Sequence, residues 1–126
     1  MKIMKLSQKE EQLMNFIWQL KKAYMKDLLD AYPEPKPATT TLATLLKRLA
    51  NKGAVAYNLH GNSREYYPIL QKKDYSSSYL KNMIKMFFQG SSATFASFFT
   101  NNMSLSREEL LELRNMIDDK LNDEKK

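Results

Sequence analysis

The 126-residue chain has no cysteine, a single histidine and three glycines. Without cysteine it can form no disulfide, no thiolate metal site and no cysteine nucleophile, and it suits a reducing compartment, so a cytoplasmic location is expected. His60 alone cannot build a histidine-based metal cluster, and neither a metal nor another cofactor is expected. No run approaches the roughly 20 apolar residues of a membrane span, so membrane insertion is not expected. The opening residues MKIMKLS lack the apolar stretch of a secretory signal. Catalytic signatures are missing too: there is no glycine-rich phosphate loop, no Gly-x-Ser-x-Gly and no histidine beside a nucleophile. Glu108, Glu109 and Glu112 sit beside Arg107 as an ordinary helix surface would place them. These absences argue against an enzyme.

What is present is a lopsided charge. Up to Asp74 the chain carries 13 Lys/Arg against 7 Asp/Glu, whereas the remainder has 7 of each, so the whole net charge of +6 lies in the first part. From Lys36 to Lys73 seven cations face only Glu65. A phosphate-binding module joined to a neutral assembly module would show this asymmetry, and so would a merely soluble basic surface.

Ser7-Gln8-Lys9-Glu10 is a capping box, and behind it Leu13, Phe16, Ile17 and Leu20 recur at helical spacing. A second short helix carries Met25, Leu28, Leu29 and Tyr32, and Pro33, Pro35 and Pro37 stop it. The third is predicted from Ala38 or Thr39 to Lys52, with Gly53 as its C-terminal cap. Its apolar face is Leu42, Leu45, Leu46 and Leu49; Thr40, Ala43, Thr44, Lys47 and Asn51 lie opposite. Past Gly53 the period changes to two: Val55, Tyr57 and Leu59, a turn at His60-Gly61-Asn62-Ser63, then a run rich in Tyr and Ile from Arg64 to Leu70. Three helices followed by a hairpin read as a winged helix-turn-helix.

In such a fold the third helix enters the major groove of double-stranded DNA. Thr40, Thr41 and Thr44 offer hydroxyls and methyls to base edges, while Lys47, Arg48 and Lys52, with Arg64 from the wing, suit phosphates. Threonine is equally a common residue at helix starts, so that face taken alone also reads as a solvated surface. Trp18, Tyr66 and Tyr67 read as packing residues, and His60 is expected at an exposed turn without a role.

Beyond Asp74 the pattern is helical again. Leu80, Met83, Ile84, Phe87 and Phe88 form a stripe broken at Gly90, a short helix carries Phe95, Phe98 and Phe99, and a second capping box, Ser106 to Glu109, opens a helix with Leu110, Leu113, Ile117 and Leu121. About 50 residues bury so much aromatic surface poorly on their own. A two-fold homodimer is the expected solution, with Leu80, Met83, Ile84, Phe87, Phe88, Phe95, Leu110, Leu113 and Ile117 at its interface; a hydrophobic ligand pocket is the sharper alternative. The expected fold is mostly α with a small β-hairpin: a winged helix-turn-helix DNA-binding domain over residues 1–73 and a helical dimerisation arm over 74–126. A winged helix used only for protein interaction, without DNA binding, is the second function class.

The ordered set Leu6-Ser7, Glu10-Glu11, Leu13-Met14, Ile17-Trp18, then Thr41 to Leu49, Lys52-Gly53, Tyr66-Tyr67 and finally Leu105-Ser106, Glu108-Glu109 and Glu112-Leu113-Arg114 resembles the penicillinase repressor (BlaI/MecI/CopY) family. The resemblance spans nearly the whole chain. It implies a winged-helix repressor that binds palindromic operators as a homodimer, controls β-lactam resistance or related stress genes, and is inactivated by proteolytic cleavage under a membrane-embedded sensor protease. Thr41 and Thr44 fall where the family contacts its operator, and Ala43 stands where well-known members carry arginine. The implied cleavage site is Phe98-Phe99, where those members have Asn-Phe. The copper-responsive branch uses C-terminal cysteines, which this chain lacks, so copper sensing is set aside.

Overall fold

Ser7 opens the first helix, α1 (Gln8–Leu20), as its sequence predicts: the Ser7 hydroxyl accepts from the Glu10 amide at 3.1 Å, and the Glu10 carboxylate accepts from the Ser7 amide at 2.7 Å. Two amides that a helix start leaves without partners are thereby satisfied. These observations come from a computed structural model, which describes residues 4–124. A two-residue strand, β1 (Ala23–Tyr24), leads directly into α2 (Met25–Ala31). The proline-rich stretch ends that helix, and Lys36 supplies what the missing next turn cannot. Its ammonium donates to the carbonyls of Leu29, Asp30 and Tyr32 at 3.0, 3.3 and 2.7 Å.

The third helix, α3 (Thr39–Asn51), is followed by Lys52 and then by Gly53, whose φ of 81° is the left-handed conformation a helix exit favours. The hairpin is β2 (Val55–His60) and β3 (Ser63–Pro68), joined through Gly61 at φ 63°, which suits a two-residue turn. All pairing is antiparallel in the order β1-β3-β2, with Ala23 opposite Tyr66 and Tyr24 opposite Glu65. The hairpin register runs from Val55–Pro68 to His60–Ser63. The expected hairpin is thus two strands of a three-stranded sheet. The added strand is too short for any alternation to mark it.

Apolar stripes of the three helices meet in one core. Leu13, Met14 and Ile17 from α1, Leu28 from α2, and Leu42, Leu46 and Leu49 from α3 are fully buried, and Val55 and Tyr66 close the core from the sheet. Each buried aliphatic side chain contributes about 1.5–3 kcal/mol of transfer free energy. Trp18 caps one edge, donating its indole N–H to the Leu70 carbonyl at 2.7 Å.

α4 (Lys72–Phe88) begins against this core: Tyr75 is buried, its ring 6.1 Å from Trp18, and its hydroxyl donates to Glu11. Burial and that hydrogen bond push the Tyr75 hydroxyl well above its ordinary pKa. The chain divides into two compact units between Tyr79 and Leu80. The second unit holds the rest of α4, then α5 (Ser92–Asn102) and α6 (Arg107–Glu124). Gly90, at φ 75°, marks the break after α4. Ser106 and Glu109 form the expected second capping box, at 3.0 and 3.1 Å. No side chain of α5 or α6 is buried; the unit's order centres on rings, Phe88 against Phe95 and Phe98 at 5.6 and 5.3 Å. Among the described residues no helix is long and apolar enough to cross a membrane.

Candidate nucleic-acid interface

With Leu42, Leu45, Leu46 and Leu49 turned into the core, the 3.6-residue period leaves Thr40, Thr41, Ala43, Thr44, Lys47, Arg48 and Asn51 of α3 exposed. The polar face expected of this helix is therefore free. Ala38 at its N-terminus offers no capping side chain, so the first-turn amides have no side-chain acceptor. Thr44 donates its hydroxyl proton to the Thr40 carbonyl at 3.0 Å. That leaves its lone pairs and methyl for an outside partner, which makes it an acceptor and apolar contact rather than a donor.

Beside this face lies a groove of about 910 Å³ between α3, the hairpin and the start of α2. Ala43, Lys47 and Asn51 line it from α3, Tyr57 and Arg64 from the hairpin, and Lys26 from α2. No carboxylate takes part in the lining. The Arg64 guanidinium stands 4.5 Å above the Tyr57 ring, and Tyr57 in turn leans on Tyr66 at 5.6 Å. Stacking of this kind holds a long cation in place without consuming its N–H groups. Lys47 and Arg64 are thus brought to one groove, while Thr40, Thr41, Thr44 and Arg48 are exposed outside its lining.

Two members of the basic stretch are engaged elsewhere. Lys36 caps α2, as described above. Lys52 donates to the Glu10 carboxylate at 2.7 Å and to the Lys5 carbonyl at 2.8 Å. Glu10 is only 3% exposed. Burial pushes its carboxyl up, but the hydrogen bonds from Lys52 and Ser7 outweigh this and hold it below the ordinary carboxylate value. Lys52, expected on phosphate, is therefore the counter-ion of a buried carboxylate. Sequence reading missed Lys26 and Tyr57 as groove residues, because only the pairing of β1 with β3 brings the start of α2 beside the hairpin. His60 ends β2 with Nε2 3.2 Å from Glu65 Oε1 and its ring 6.1 Å from Tyr24.

In the second unit Phe87 and Ile117 are 68% and 61% exposed, and Leu80 and Leu110 are also exposed. Met83, Ile84, Phe88, Phe95 and Leu113 are half-buried. Phe98 and Phe99 lie within α5, Phe98 exposed and Phe99 half-buried against Phe95. Among the described residues no cluster of three or more His, Asp or Glu could hold a metal ion.

The penicillinase repressor family model matches residues 6–119. Methicillin resistance regulatory protein MecI of Staphylococcus aureus (strain N315) is 28% identical over 120 residues, covering 94% of this chain and 98% of that protein. The penicillinase repressor of Bacillus licheniformis is 26% identical over 125 residues, covering 98% of each. Among solved structures, the DNA-binding domain of the repressor BlaI in solution matches with a TM-score of 0.52 at 27% identity, over 59% of this chain and 92% of that domain. With that match, the three helices and hairpin of the first unit are a winged helix.

Proposed function

This chain belongs to the penicillinase repressor family, whose members are DNA-binding repressors rather than enzymes, and on that footing we propose that it represses transcription in the cytoplasm by binding a palindromic DNA operator as a homodimer. The exposed face of α3 beside a groove lined by cations and no carboxylate is the observation that supports this most directly. Thr40, Thr41 and Thr44 touch base edges, Thr44 through its acceptor lone pairs and methyl. Lys47, Arg48 and Arg64 contact phosphates. Lys52, tied to Glu10, serves the fold and is left out of that set. The curated relatives are named for methicillin resistance and penicillinase, so genes of β-lactam resistance are the proposed targets.

The dimer forms through the second unit, whose exposed Phe87 and Ile117 a second copy covers. Joining two reading heads makes the second half-site contact effectively intramolecular, which raises affinity without new contacts per head. Release follows cleavage at Phe98-Phe99 by a membrane-embedded sensor protease. The cut lies inside α5 and would separate α6 from the Phe88–Phe95 ring pair. Induction by a β-lactam with no cleaved fragment on a blot of the cell extract would remove this release step.

Selection of duplexes from a random pool by the full chain tests the main reading. A two-fold symmetric consensus is expected. A single asymmetric half-site would remove the palindrome, and salt-insensitive failure to bind any duplex would remove DNA binding.

A further inference from the structure

Three cations from three elements line the groove beside α3: Lys26 from α2, Lys47 from α3 and Arg64 from β3. None of them takes part in an ion pair among the described residues, and no acidic side chain shares the lining. Lys36 and Lys52 of the same unit are instead consumed by backbone carbonyls and by Glu10. Like charges gathered in a concave wall without counter-ions repel one another and focus a positive potential outward, an arrangement that an external anion relieves. Asn51, Asn62 and Ser63 add neutral polar groups to the same lining. Phosphate and sugar contacts in protein–DNA interfaces are made by such neutral side chains together with Lys and Arg. The groove, at about 910 Å³, also extends well beyond what one phosphate would fill.

We propose that this groove holds a stretch of DNA phosphodiester backbone, with Lys26 a phosphate contact in its own right and Tyr57 the residue that positions Arg64. This rests on the DNA-binding reading and deepens it by adding two residues outside the recognition helix. It also gives β1 a purpose. Pairing of Ala23 and Tyr24 with Tyr66 and Glu65 pins the start of α2 to the hairpin, and so carries Lys26 to the groove that Lys47 also lines. Arg64, stacked 4.5 Å above Tyr57 and with the Tyr66 hydroxyl as a neighbouring acceptor, still has N–H donors left for phosphate oxygens.

Binding of the full chain to a duplex of unrelated sequence, measured by fluorescence anisotropy over a salt series, tests the proposal. Lys26→Gln is expected to make the log–log salt slope shallower by about 1, the same change expected of Lys47→Gln. Lys120→Gln on α6 should keep the wild-type slope. Tyr57→Leu should weaken binding by about two- to fivefold, and Tyr57→Phe, which retains the ring, should restore it. A wild-type slope in Lys26→Gln overturns the phosphate contact, and equal weakening by Phe and Leu overturns the positioning role. Wild-type protein that binds no duplex at low salt would instead fail the DNA-binding reading itself, a result distinct from a bound chain indifferent to Lys26.

Discussion

In the first unit α1, α2 and α3 each turn one apolar stripe to a shared centre, and Leu13, Ile17, Leu28, Leu42 and Leu49 are wholly enclosed. In the second, α5 and α6 bury no side chain, and Phe87, Met116, Ile117 and Leu121 are all more than half exposed. Apolar residues are plentiful in both. What differs is whether the chain itself supplies the opposing surface. A sheet and three short helices that cross in sequence order can enclose a centre. Two and a half helices of a unit this small leave many apolar side chains exposed, which is why the proposed dimer is assigned to this unit. The basic charge follows the same division, because the part of the chain with the closed core also carries the whole net charge.

The largest effect should come from separating the two units. A chain ended after Tyr79 keeps Tyr75 on Glu11 and should stay folded and monomeric, while its affinity for a symmetric operator falls by about 10²–10⁴. Phe87→Glu in the intact chain should give the same monomer, since it places an unpaired carboxylate on the surface to be covered. Sedimentation decides it: a dimer that survives the truncation would put the contact in the first unit and break the contrast drawn above.

Next in size is the response to trimming a leucine. Leu46→Ala in the closed core should cost about 2–5 kcal/mol, independent of protein concentration. Leu121→Ala should cost less, and its cost should vary with concentration if a second copy covers α6. Thermal unfolding at two concentrations a hundredfold apart separates these outcomes. A concentration-independent cost at Leu121 would mean that α6 stands outside the dimer.

The smallest effect concerns the ion pair that ties α1 to the end of α3. Lys52→Met leaves Glu10 buried without its cation and should destabilise the first unit by about 2–3 kcal/mol. The Glu10 carboxyl is held below its ordinary value of 4.5 in the fold. Its contribution is therefore complete above that value and is lost as pH falls through the lower, folded value. Wild-type and Lys52→Met stabilities should converge as the medium is acidified from pH 5 downward. A constant gap across that range would place the stabilisation in the Lys52 stem or in its bond to the Lys5 carbonyl.

Much of the local structure was legible because its signals are short-range. The Ser7–Glu10 and Ser106–Glu109 boxes, the leucine stripe of α3, the exit at Gly53 and the turn at Gly61 each need only a few neighbouring residues, and each stands where it was expected. The family resemblance was legible for a different reason: an ordered set of short motifs survives along the whole chain, and the family match covers residues 6–119. What was not legible depends on residues far apart. β1 exists because β3 offers it an edge, Trp18 meets Leu70 across 52 positions, and Tyr75 meets Glu11 across 64.

The candidate site shows the same boundary most clearly. Periodicity alone determined which face of α3 is polar, because four leucines at helical spacing can bury themselves in only one way. Composition alone determined that the positive charge lies early in the chain. Which cations are left to meet a ligand was decided only by the tertiary structure. Lys36 and Lys52 look as available in the sequence as Lys26 and Lys47, yet the first is drawn onto carbonyls at the end of α2 and the second onto a carboxylate 42 residues away. A charge's availability depends on what the fold brings within about 3 Å of it, and no local pattern along the chain encodes that distance.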